Sequence, residues 1–233
     1  RYFKIPKFIK FNNKVVKLNL PNEYGIKLTF VEIFLDDVYK LEWIKNFTKK
    51  NNIQIKSILD IGGNCGLTSM LLRSQFPKSI IHCYEPNLEI QKYLEHNSNL
   101  RSFDYFSEAV GGTNEMVKLN VVNNDSILSS IIPNETGTTA QISFDLAYRR
   151  FGVDTLDLVK MDCEGSEWEI FNNNVENWRK VKFLTMEYHL GKNNFDHDRI
   201  VKVLDKIGFK LISKLDQSNK ANYGIVIAYN TLK

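Results

Sequence analysis

Residues 57–66 read SILDIGGNCG, an apolar run that ends in Asp60 and passes into a turn containing Gly62, Gly63 and Gly66. The next nine residues, LTSMLLRSQ, carry apolar positions at helical spacing, so the stretch reads as strand, glycine turn, helix. A turn with few side chains lets the backbone approach a ligand closely, and the helix start behind it offers free N–H groups at the positive end of a dipole. A ligand with a nucleoside or anionic part is expected there. The dinucleotide fingerprint GxGxxG is not met, because Asn64 stands at its second glycine, the one that admits a pyrophosphate. A ligand without pyrophosphate fits better.

Working outward, the next apolar run, IIHCYEPN (80–87), ends in Glu85, 19 residues after Gly66. A carboxylate at that strand end can accept from both ribose hydroxyls. Glu108, in SEAVGG (107–112), ends a third run and can accept from an adenine amine or the ribose. Three successive strand ends that supply acids beside a glycine turn form the pattern of an S-adenosylmethionine pocket, where hydrogen bonds must hold adenosine without help from phosphates.

Short apolar runs alternate with amphipathic helices from residue 56 onward, which predicts an α/β fold with a mostly parallel sheet covered on both faces. The predicted strands are 57–61, 80–84, 103–110, 156–161 and 182–188; the predicted helices lie near 67–75, 88–97, 167–172 and 197–207, the last with Asp196 as N-cap and Gly208 past its end. Two closing strands, 209–213 and 223–229, are separated by the polar stretch 214–222, so a C-terminal antiparallel pair is expected. Between 111 and 154 the alternation breaks: 115–122 and 138–146 read as strands, and NNDSILSSIIPNETG (123–137) reads as a loop that reaches over a site, with Ser129 and Ser130 as candidates to line the acceptor side. Before residue 52, strands 2–11 and 14–20 flank an Asn12-Asn13 turn, 26–30 reads as a further strand, and residues 35–50 have near-helical apolar spacing. The expected division is an N-terminal extension over 1–51 that packs on a core domain over 52–233.

DIGGNCGLTS, YEPN, EAVGG, ISFDL, KMDCEGSEWEIF and MEYH occur in the order and spacing of the FkbM-type S-adenosylmethionine-dependent methyltransferases, and residues 57–190 resemble that family. The KxDxEGxE string, starting at Lys160, is the most diagnostic piece. The resemblance implies a class I (Rossmann-like) methyltransferase fold and methylation of hydroxyl groups, typically on sugars or polyketides. It also implies that Asp60, Gly62, Asn64 and Gly66 cradle the methionine part, Glu85 the ribose, and Glu108 with Ala109 the adenine edge. Gly63, Pro86 and Asn87 lie within the same strings and complete the expected cofactor set.

Methyl transfer to an alcohol needs the oxygen held in line with the S–CH₃ bond, and it needs a base for the hydroxyl proton. Asp162 and Glu164 follow the fourth core strand, and Glu187 and His189 follow the fifth, each pair at a spacing of two that puts its members on one side. His189 is the expected base, since an unperturbed imidazole titrates near neutral pH, and Asp162 is the expected orienting or binding partner, with Glu187 beside them. Lys160 and Glu164 are candidate substrate contacts. A divalent cation held by Asp162, Glu187 and His189 is a less favoured alternative.

The 233 residues carry 31 basic and 27 acidic side chains, a net charge of +4 that leaves no electrostatic footprint for nucleic acid. Three cysteines, Cys65, Cys83 and Cys163, lie far apart in apolar runs, which argues for a reducing, cytoplasmic setting. No apolar stretch is long enough to span a membrane. The chain begins with Arg1 rather than Met, so a longer protein is expected, with a glycosyltransferase as a fused or adjacent partner. The composite expectation is O-methylation of a sugar or glycan hydroxyl; the alternatives are a polyketide or other small-molecule hydroxyl, or a noncatalytic nucleotide-binding module.

Overall fold

The computed structural model describes residues 4–11, 13–122, 126, 129–132, 136–173, 175–190, 197–212 and 223–231. In chain order, the N-terminal part holds β1 (Phe8–Phe11), β2 (Lys14–Lys17), α1 (Tyr24–Phe34) and α2 (Leu41–Lys50). The core begins with β3 (Ser57–Ile61), α3 (Leu67–Gln75), β4 (Ile80–Tyr84), a 3₁₀ turn at Leu88–Ile90, α4 (Gln91–Arg101) and β5 (Asp104–Phe106). Next come β6 (Ala109–Gly111), β7 (Glu115–Asn120), β8 (Ser130–Ile132), β9 (Thr139–Ser143) and α5 (Phe144–Arg149). The chain then forms β10 (Leu156–Met161), α6 (Glu167–Asn173), α7 (Val175–Trp178), β11 (Val181–His189), α8 (His197–Ile207), β12 (Phe209–Leu211) and β13 (Tyr223–Asn230).

Seven strands form the main sheet in the order β12-β13-β11-β10-β3-β4-β5. Pairing is parallel from β11 to β5, while β13 runs antiparallel to both β11 and β12. The expected parallel sheet with an antiparallel close is thus present. Every residue of β3 and β10 is buried, as strands covered on both faces require. Their side chains alternate between two apolar clusters: Ile58 and Leu158 join Ile26, Phe30, Leu41, Ile44 and Met70 on one face, and Leu59 and Val159 join Phe144, Trp178 and Leu204 on the other. The N-terminal helices therefore share an apolar layer with α3 against the sheet.

Four local expectations are corrected. Residues 26–30 lie inside α1, where Ile26, Phe30 and Ile33 are buried at helical spacing; their β-branched and aromatic character had suggested a strand. The helix expected from residue 35 starts at Leu41, because Asp37 and Lys40 adopt positive φ and the Asp37 carboxylate accepts from the N–H groups of Leu41 and Glu42. The single strand expected over 103–110 is two: Asp104–Phe106 ends the main sheet, and Ala109–Gly111 joins a second sheet ordered β6-β9-β7-β8. The strand expected over 138–146 gives way to α5 at Phe144, with Ser143 as its N-cap. At the C-terminal helix, Ile200, Leu204 and Ile207 are buried and the N–H of Gly208, at φ 103°, bonds to the carbonyl of Leu204. Asp196 and the connection at 214–222 lie outside the described residues. Among the described residues no helix is long and apolar enough to cross a membrane.

Candidate active site

Because β3, β4, β10 and β11 are parallel, their C-terminal ends open on one edge, and a cavity of about 430 Å³ lies there. Its wall includes Gly62, Gly63, Asn64, Glu85, Pro86, Ala109, Ser129 and Ser130 toward β4, and Lys160, Asp162, Glu164, Glu187 and His189 toward β11. Thirteen of the residues singled out in the sequence therefore share one cavity wall.

The glycine turn is shaped by its neighbours as much as by any ligand. Gly62 has φ 73°, and a Cβ there would overlap the Asp162 carbonyl oxygen; a Cβ on Gly63 would overlap the Cys83 sulfur. The N–H groups of Gly62 and Gly63 both reach the Tyr84 carbonyl, at 3.0 and 3.1 Å. Glu85 ties this turn to the next: Oε2 accepts from the Asn64 N–H and Oε1 from the Asn87 N–H, both at 2.9 Å. Each oxygen retains a lone pair for a further donor. Burial pushes the Glu85 carboxyl up to about 7, although the two backbone donors and the charge of Lys160 oppose that rise.

Four expected cofactor contacts do not line the cavity. Asp60 is fully buried under the turn, with Oδ2 accepting from the Ser69 hydroxyl at 2.6 Å. Gly66, at φ 85°, packs against Leu94 and Phe103 where α3 begins. The Asn87 side chain caps the 3₁₀ turn through Glu89 and donates to the Ser129 hydroxyl at 3.1 Å. Glu108 points away because Arg150 takes its carboxylate in a two-pronged pair, and the same guanidinium lies 4.9 Å from the Phe106 ring centroid. Lys160, a candidate substrate contact, reaches the wall from a side chain only 2% exposed: its ammonium donates to the Gly62 carbonyl at 2.8 Å and lies 3.4 Å from Asp60. Burial works against that charge, but Asp60 and Asp162 outweigh it and raise the Lys160 pKa.

At the other end of the cavity His189 sits among three carboxylates. Nδ1 is 3.2 Å from Glu167, and Nε2 is 3.4 Å from both Glu164 and Glu187. Burial alone would favour the neutral ring; the hydrogen bond and charge of Glu167, with Glu164 and Asp162, overcome this and lift His189 to about 9. These carboxylates thus favour the imidazolium over the neutral imidazole expected of a base. Glu187 is pushed up to about 8, by burial first and then by the charge of Asp162, against the pull of His189. Asp162 does not orient His189; its Oδ2 accepts from the Tyr39 hydroxyl at 2.8 Å. Among the described residues no group of three or more His, Cys, Asp or Glu side chains is arranged to hold a metal ion.

Three further residues join the site. Tyr39 reaches Asp162 from 123 positions away, Glu32 brings another carboxylate to the wall with its pKa raised by burial and by Asp162, and Glu167 stands behind His189. Glu167 lies within a string already singled out, KMDCEGSEWEIF. Of the stretch expected as a covering loop, Ser126 accepts from the Asn64 side chain and donates to Glu23 at the N-cap of α1, whereas Ser130–Ile132 forms β8 rather than loop.

No protein of curated function matches this chain. Among solved structures, it is similar to an S-adenosylmethionine-dependent methyltransferase from Clostridium acetobutylicum at 9% identity and TM-score 0.49, covering 88% of this chain and 97% of that one. It is similar to an O-methyltransferase family protein from Burkholderia thailandensis at 10% identity and TM-score 0.48, covering 86% of this chain but only 56% of that one. Aeropyrum pernix fibrillarin, solved with natively bound S-adenosyl-L-methionine, aligns at 14% identity and TM-score 0.45 over 82% of this chain and 75% of that one. The family described as the Methyltransferase FkbM domain matches residues 37–211, a span that takes in every strand of the parallel sheet and both ends of the cavity. By that match the chain belongs to the FkbM methyltransferase domain family, and its sheet has the mostly parallel order with an antiparallel close expected of it.

Proposed function

We propose that this protein transfers the methyl group of S-adenosylmethionine to a hydroxyl of a sugar or glycan in the cytoplasm. The observation that carries the reading is the charge of the cavity wall, where Glu32, Glu85, Asp162, Glu164 and Glu187 face only Lys160 and His189 as cations. Such a wall favours a sulfonium cation and an acceptor rich in hydroxyl donors, and it disfavours a polyphosphate backbone.

Bound there, S-adenosylmethionine supplies a methyl group already activated by its sulfonium. The turn at Gly62–Asn64 would hold the methionine part, Glu85 and Pro86 the ribose, and Ala109 the adenine face, while Asp162, fixed by Tyr39, adds negative charge to the same wall. The base is assigned to Glu187 rather than His189. A carboxylate raised toward the working pH is a stronger acceptor of the hydroxyl proton, and the imidazolium at 3.4 Å stabilises the charge before attack. The rate of methyl transfer should therefore rise by up to about tenfold per pH unit below 8, and fall again above about 9 as the imidazolium is lost. A pH profile that is flat from 6.5 to 9 would remove the pair from the mechanism.

A second pH effect follows at Glu85. Ribose hydroxyls donate to the ionised carboxylate, so S-adenosylhomocysteine affinity should be constant above about 7 and weaken by up to about tenfold per unit below it. Calorimetry at pH 6 to 8.5 reads this directly, and affinity independent of pH would exclude Glu85 as a ribose ligand. The function itself is tested with methyl-tritiated S-adenosylmethionine offered to neutral oligosaccharides, polyhydroxylated polyketides and RNA. Label is expected in the saccharides; label confined to RNA or to polyketide would overturn the proposal.

A further inference from the structure

We propose that Glu167 is a positioning residue that fixes the ring plane of His189 and holds the proton on its Nδ1, so that Nε2 faces the cavity. The inference rests on the reading of His189 as part of the methyl-transfer site.

The Glu167 side chain is fully buried and does not line the cavity, so it has no route to a ligand except through the residues it touches. Its Oε1 gathers three groups: His189 Nδ1 at 3.2 Å, the Gly165 N–H at 3.1 Å and the Cys163 thiol at 3.7 Å. The last two belong to the same turn, which bends back at Glu164 and Gly165 with φ 53° and 104°. The turn after β10 therefore wraps its own carboxylate and immobilises it. Oε2 is buried without a hydrogen-bond partner, and a buried carboxylate left half satisfied is unfavourable unless a cation stands close. His189 is that cation. The adjacent residue repeats the attachment on the main chain, since the Trp168 indole N–H donates to the His189 carbonyl at 3.0 Å. Two consecutive residues at the start of α6 thus hold the imidazole and the backbone of one histidine. With Nδ1 committed to Glu167, only Nε2 remains to meet Glu164 and Glu187 at the wall.

The chain contains four histidines, few enough for ring-¹⁵N-labelled NMR in the ligand-free protein, with the His189 resonances assigned by their loss in His189→Ala. At neutral pH the wild-type ring should carry a proton on Nδ1 that exchanges slowly with water. Glu167→Gln should accelerate that exchange at least tenfold, and Glu167→Asp, which keeps the charge, should restore it in part. In the methyl-transfer assay Glu167→Gln should lower kcat by roughly 10²-fold, the lower end of what a proton-handling group contributes, with KM for S-adenosylmethionine within about twofold of wild type. A wild-type His189 without a proton on Nδ1 would overturn the proposal whether or not any variant folds, as would an unchanged ring spectrum in folded Glu167→Gln. The NMR result needs no acceptor. If the Nδ1 proton depends on Glu167 but His189→Ala turns over normally, the positioning stands and the catalytic reading of His189 falls.

Discussion

Gly62→Ala is expected to destroy the cofactor site and destabilise the protein by more than about 4 kcal/mol, a size that single substitutions reach only through a named structural conflict. Two conflicts coincide at this position. Alanine at φ 73° costs about 1–2 kcal/mol for the left-handed backbone alone. Its Cβ would also overlap a backbone oxygen, that of Asp162, which cannot rotate away as a side chain would. Withdrawal of that carbonyl would strain the β3–β10 ladder, which pairs Asp60 with Lys160 and Ile61 with Met161 and continues as the Asp162 N–H bond to the Ile61 carbonyl at 3.0 Å. Gly152 separates the two effects. It has φ 61° but nothing within 4 Å of its Cβ position, so Gly152→Ala should cost about 1–2 kcal/mol and leave S-adenosylhomocysteine binding intact. Denaturant melts and calorimetry on both variants make the comparison, and a Gly62→Ala protein no less stable than Gly152→Ala would show that the turn yields.

The elements most legible in the sequence were those whose burial is decided locally. β3, β4 and β10, with α3 and α8, fall on the predicted bounds, because continuous apolar runs and one-sided helices declare themselves within a few residues. The elements misread depend on partners far along the chain. The 103–110 run is uniform enough for one strand, yet it leaves the main sheet after Phe106 because Ala109–Gly111 pairs with Gln141–Ser143, some 30 residues on. In α1 the buried spacing was present, but short apolar runs do not distinguish strand from helix. The helix start at Phe144 carried a local signal, Ser143 followed by Asp145, that the apolar run before it obscured.

The site divides in the same way. Strand ends converge on one edge as soon as the sheet is parallel, so Glu85, Asp162, Glu187 and His189 could be placed together from strand order alone. Which groups then pair is a tertiary fact. Glu108 ends its run just before the second sheet, and Arg150, 42 residues later, removes it from the cavity. His189 has the spacing of a base, but Glu167 and Glu164 favour its charged form, and no pattern in its own strand reports the charge around it.

Lys160 carries the second large effect, since it is the buried cation beneath the glycine turn. Lys160→Met keeps the volume and removes the charge, and it should destabilise the protein by about 3–5 kcal/mol, because breaking a buried pair strands the remaining ion. Asp60, fully buried, is the group left behind, and the Gly62 carbonyl loses its donor at 2.8 Å. Binding of S-adenosylhomocysteine should weaken along with stability, because the lost bond is to the turn itself. Adding Asp60→Asn distinguishes loss of the pair from poor packing of methionine. The double variant should be more stable than the sum of the single effects predicts, by about 0.5–3 kcal/mol, since the stranded charge is then gone. A strictly additive cycle would mean that Asp60 and Lys160 do not sense each other across 3.4 Å, and the order of the glycine turn would then have to come from the Gly62 and Gly63 bonds to Tyr84 and the Asn64 bond to Glu85.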